Sequence, residues 1–148
     1  MRKLALLFAV AALGVPASAS ADGTSTVGAY GCFLAGGQVT RPAGTEIVAR
    51  FGWAATNFGL VHDFLQAQTT TLSVNGGTPV DVSDRYGAPA GSQGDVGAFV
   101  NVPTGVVLSA GQSMTFEYVV SVSHLIFDGE SFGGPGVLAD LTCTVTGV

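Results

Sequence analysis

Basic residues are nearly missing from this 148-residue chain. Arg2, Lys3, Arg41, Arg50 and Arg85 face ten Asp and Glu. An acidic field repels phosphate backbones, and three scattered arginines beyond Lys3 make no patch, which argues against nucleic-acid binding. Lys3 is the only lysine, so the body of the chain has no residue for Schiff-base, P-loop or Ser-Lys chemistry. Cysteine is scarce too. Cys32 and Cys143 lie over a hundred residues apart, a spacing unlike any metal-ligand motif. No apolar run reaches 18 residues, so no transmembrane anchor is expected in the mature chain. Helix-start signals are sparse, whereas glycine is abundant, at 22 residues.

The first 21 residues, MRKLALLFAVAALGVPASASA, read as a secretory signal. Arg2 and Lys3 supply the charged start and Leu4 to Val15 the apolar stretch. Ala17-Ser18-Ala19 or Ala19-Ser20-Ala21 supplies the cleavage pattern. Residues 22–148 are expected to form a single secreted domain of net charge −7, from three arginines and ten carboxylates. Outside the cell, Cys32 and Cys143 are expected to form a disulfide. A closed loop of roughly 110 residues is worth about 4.7 kcal/mol in the chain-entropy account.

Period-two alternation dominates what remains. Ile47, Ala49, Phe51 and Trp53 share one face; so do Met114, Phe116, Tyr118, Val120 and Val122, and again Val137, Ala139, Leu141, Cys143 and Val145. Such spacing suits half-buried antiparallel strands. Shorter strands are predicted over Tyr30–Leu34, Thr69–Val74, Pro79–Ser83 and Val106–Leu108, with Cys32 and Cys143 on inward faces of the first and last strands. Asn75-Gly76-Gly77 reads as a tight hairpin turn. Residues 84–97 read as a long loop. One short helix is expected near Leu60–Gln68, where Val61, Phe64, Leu65 and Gln68 fall at helical spacing.

Gly129-Glu130-Ser131-Phe132-Gly133 matches G-x-S-x-G, the nucleophile elbow of serine hydrolases. An elbow needs a helix after the serine, and Gly133-Gly134-Pro135-Gly136 cannot begin one. Both histidines, His62 and His124, also precede Ser131, against the chain order of that fold. The stretch reads instead as a hairpin loop. A looser triad would use His62 or His124 as base, oriented by Asp63 or Asp128. Calcium would draw on Asp128 with Glu130, on Asp81 with Asp84, or on Asp95, but no D-x-D-x-D-G run is present. No metal and no cofactor is expected.

The strand rhythm over residues 27 to 147 resembles the immunoglobulin-like and fibronectin-type-III-like modules of secreted bacterial proteins. Phe127-Asp128-Gly129 followed by Leu141-Thr142-Cys143-Thr144 is faintly similar to the end of the neocarzinostatin-type apoproteins, which carry a chromophore. The first resemblance implies an all-β, antiparallel two-sheet sandwich of about seven to nine strands with at most one short helix. It also implies that the B–C and F–G loops meet at one end. Asn57, Phe58, His62, Asp63, Phe127, Asp128, Glu130 and Phe132 would then crowd a single rim. The expected function is non-catalytic binding of an extracellular protein, glycan or envelope surface through that rim. The alternatives are a small-molecule carrier with a pocket at the sandwich end, and a secreted hydrolase.

Overall fold

A computed structural model describes residues 23–148; the expected signal and the expected cleavage site lie outside the described residues. The chain is mostly β, arranged as two sheets packed face to face. The elements run β1 (Thr24–Gly28), α1 (Ala29–Leu34), β2 (Gln38–Arg41), β3 (Glu46–Ala55), α2 (Phe58–Ala67), β4 (Gln68–Val74) and β5 (Val80–Asp81). A 3-10 turn (Ser83–Arg85) leads to β6 (Ala90–Ser92), β7 (Asp95–Val107), β8 (Ser113–Val122), β9 (Ile126–Phe127), β10 (Phe132–Gly133) and β11 (Gly136–Gly147). One sheet has the order β1-β3-β7-β6 and the other β2-β11-β8-β4-β5, while β9 and β10 form a separate two-stranded ribbon.

The alternation in sequence becomes the core. Ile47, Ala49 and Phe51 of β3 and Val100 and Val102 of β7 face inward from the first sheet. From the second sheet they meet Met114, Phe116, Tyr118, Val120 and Val122 of β8 and Leu141, Cys143 and Val145 of β11. The Tyr118 hydroxyl donates to the carbonyl of Ala49 across the interior at 3.0 Å, so the one polar atom of that buried ring is satisfied. Burial pushes the Tyr118 phenol well above its ordinary pKa.

Four expectations are corrected. The sheets are mixed rather than antiparallel, since β1 runs parallel to β3 and β2 parallel to β11. Two helices are present among the described residues, not one. Tyr30–Leu34 lies in α1, where Cys32 points inward while Tyr30, Phe33 and Leu34 stay exposed. Gly36 and Gly37, at φ +82° and +79°, end that turn and send the chain to the opposite sheet. Finally, the second half of the proposed 84–97 loop already belongs to a strand system. Ala90–Ser92 pairs with β7, which begins at Asp95 and absorbs Val106 and Val107.

The Cys32–Cys143 disulfide is present, with Cα atoms 5.9 Å apart and a sequence separation of 111. It ties α1, not a first strand, to β11. The expected Asn75-Gly76 turn joins β4 to β5, with positive φ of 52° and 68° at its two central residues. The two ends of the described chain meet near the β2–β3 turn, where Gly23 accepts from the Glu46 amide and Val148 from the Ala43 amide, both at 2.9 Å.

Candidate functional site: the loop rim and the side cleft

The segment after β3 and the segment after β8 meet at the far end of the sandwich. Asn57 opens α2 as its N-cap, its Oδ1 accepting from the Leu60 amide at 3.1 Å. Val61, Phe64 and Ala67 pack inward, which turns Phe58 and His62, one helical turn apart, toward solvent. Beside α2 stands the β9–β10 ribbon, with Phe127 directly opposite Phe132 and their ring centroids 4.6 Å apart. Phe132 remains 69% exposed.

Two ties fasten these segments together. The Thr56 amide donates to the Asp128 carbonyl at 2.8 Å, and His124 Nε2 lies 2.9 Å from Asp63 Oδ1. Gly129, at φ +111°, lets the ribbon press against the Thr56 side chain; a Cβ there would collide with it. Among the described residues, His62 and the Glu130 side chain take no part in these ties.

Asp128 is occupied by its own turn. Its Oδ1 accepts from the amides of Glu130 and Ser131, each at 2.7 Å, and its Oδ2 from the Ser131 hydroxyl at 3.1 Å. The Ser131 and Glu130 amides hold the carboxyl below the usual carboxylate range. Ser131 therefore sits in a hairpin turn followed by β10, with its hydroxyl donated to Asp128. The strand–serine–helix geometry of an elbow is not formed there.

His124 is the histidine that finds an acid. Its other ring nitrogen, Nδ1, lies 3.3 Å from the Ser123 hydroxyl, giving the chain Asp63–His124–Ser123. The side chains of His124 and Asp63 are 51% and 42% exposed, so water screens the pair. Asp81 is likewise committed locally, accepting from the Ser83 hydroxyl at 2.6 Å and the Ser83 amide at 2.9 Å. Those bonds lower its pKa, the hydroxyl first. Among the described residues, no three His, Cys, Asp or Glu gather into a metal-ligating cluster.

Two concavities adjoin the rim. A hollow of about 190 Å³ lies between Ala54–Thr56, Gly94, Asp95, Asp128 and Glu130, and three of those residues are acidic. A larger cleft of about 640 Å³ opens on the side of the sandwich, between β3 and β11 and beside α1. Tyr30, Phe33, Phe51, Trp53, Leu138 and Leu141 supply apolar walls, with Asp128 and Asp140 at the margin. Trp53 stacks on Phe64 at 5.1 Å, and its indole Nε1 is buried without a hydrogen-bond partner. The sequence gives no warning of this cleft, because it depends on where β1 and β2 stop pairing with β3 and β11. Nor does it announce the Asp63–His124 contact, which spans 61 residues. Comparisons with protein-family models, curated proteins and solved structures find no match for the chain.

Proposed function

We propose that the protein is an exported, non-catalytic module of immunoglobulin type that holds an extracellular protein, glycan or envelope surface at its loop rim. The strand orders β1-β3-β7-β6 and β2-β11-β8-β4-β5 support the fold assignment. They correspond to the A-B-E-D and A′-G-F-C-C′ arrangement, with the first strand divided between the sheets by α1. In that scheme α2 fills the B–C loop and the β9–β10 ribbon the F–G loop.

The observation that carries the functional reading is the fastening of those two loops to each other. Thr56 to Asp128 and Asp63 to His124 hold Phe58 and Phe132 on a preorganised surface instead of on two independent loops. Preorganised, exposed aromatics lose little conformational entropy on binding. The neighbouring acid-lined hollow suits a partner rich in hydroxyl or basic donors. Water screening of the His124–Asp63 pair and the commitment of Ser131 to Asp128 favour binding over hydrolysis.

The test is retention on envelope preparations of the source cells. A Phe58→Ser/Phe132→Ser double variant should lose retention while keeping its melting temperature; undiminished retention refutes the rim assignment. A small-molecule carrier is the second reading, favoured by the volume of the side cleft. It requires a ligand detectable by absorbance or mass in the purified protein.

A further inference from the structure

β3 has a strand on both sides only as far as Arg50, where β1 ends. From Phe51 to Ala54 it pairs with β7 on one side and borders the cleft on the other. β11 is in the same condition. β2 pairs with it from Thr144 to Gly147, whereas from Gly136 to Cys143 it pairs with β8 alone. Two strand edges therefore flank one slot, which α1 bounds at Tyr30 and Phe33 and the β9–β10 ribbon bounds at Asp128.

Open edges are ordinarily protected by charge, proline, a bulge or a covering segment. The β11 edge has two of these devices, a register shift between Val137 and Ala139 and the carboxylate of Asp140. Phe51-Gly52-Trp53-Ala54 has no charge, no proline and unbroken register with β7. Four residues of strand offer roughly 13 Å of hydrogen-bonding edge.

We propose that this edge is a strand-addition site. Its occupant is an extended peptide segment of another protein, alternating apolar residues and carrying a Lys or Arg, that pairs with Phe51–Ala54 and lays its apolar side chains into the cleft. Main-chain pairing supplies the affinity and the aromatic walls select apolar side chains. The basic residue follows from charge: Asp128 and Asp140 stand at the cleft, and no Lys or Arg lines it. The site adjoins the rim and shares Asp128 with it, but its signal comes from Trp53 and that of the rim from Phe58 and Phe132, so either reading can fail without the other.

Trp53 is the only tryptophan, and it lines the cleft, so its emission reports occupancy. The probe is an acetylated, amidated hexapeptide of alternating valine and threonine led by lysine. It should shift Trp53 emission saturably, and replacing its central threonine by proline should abolish the shift. A glutamate-led peptide should bind more weakly, by up to about fivefold, the size of an exposed ion pair. The Asp140→Lys variant, which alters a solvent-facing edge residue, should reverse that order. No saturable change at millimolar peptide, or equal binding of the proline peptide, overturns the proposal. A concentration-dependent dimer that quenches or blocks the signal also overturns it, by making a second copy the occupant.

Discussion

Reduction of the Cys32–Cys143 bond should cost this domain a large part of its stability, and the size of the loss can be worked from the chain. The bond closes a loop defined by a separation of 111 residues, which in the chain-entropy account corresponds to about 4.8 kcal/mol at 25 °C. Domains of this size are stable by only about 5–15 kcal/mol, so the reduced form should sit near the edge of folding at physiological temperature. The expected fall in melting temperature is about 15–25 °C. Comparing oxidised with reduced protein keeps both sulfur atoms in the core, where Cys32 and Cys143 are 2% and 0% exposed. A cysteine-to-alanine pair would add a cavity term. Urea titration followed by Trp53 emission, equilibrated from the unfolded side with and without reductant, gives the difference directly. The steeper denaturant dependence should belong to the reduced protein, whose unfolded chain is freer to expand. A loss below about 1 kcal/mol would refute the reasoning, because it would mean that the unfolded chain already holds its ends together or that the bond strains the native packing.

Four further outcomes follow from particular contacts. Tyr118→Phe should lose about 1–2 kcal/mol in urea titration, because it deletes the buried bond to the Ala49 carbonyl. Gly129→Ala should destabilise the ribbon by about 1–3 kcal/mol, through positive φ and collision with Thr56, and should speed amide exchange at Thr56. Burial raises the Tyr86 phenol to about 12, against a weaker opposing bond from Thr70. The stability linked to it is therefore fully present below pH 10, lost as pH rises toward 12, and readable by spectrophotometric titration. Asp128 has the opposite sign: its contribution stands above the unfolded carboxyl pKa and disappears as pH falls through the depressed folded value, so Asp128→Asn should remove that acid-side dependence.

Where one face of a strand is buried and the other wet, the sequence states the strand plainly, as in Met114 to Val122. β7 obeys the same rule, with Val96, Ala98, Val100 and Val102 buried, yet its beginning is hidden by composition. Gly94, Gly97 and the preceding Gly-Pro-Ala stretch carry the signature of a loop. Gly97 is in a strand because the Phe99 ring lies against the space its missing side chain leaves, as it does at Gly52. α1 fails for another reason: six residues span less than two helical turns, so Ala29–Leu34 is too short to separate one periodicity from the other. Of the rim, the loops themselves were legible in Asn57 and in the glycine-rich hairpin. Their ties were not, because Thr56–Asp128 and Asp63–His124 join residues some 60 or more positions apart.

Both described ends leave the molecule beside the Ala43–Glu46 turn, at the start of β3, whereas the aromatic rim lies past the finish of that strand. Ten residues of strand put roughly 30 Å between them. The body thus has a root and a tip. A fusion partner, affinity tag or surface linker attached at either described end would crowd the root alone, leaving Phe58 and Phe132 pointing away from whatever the molecule is mounted on.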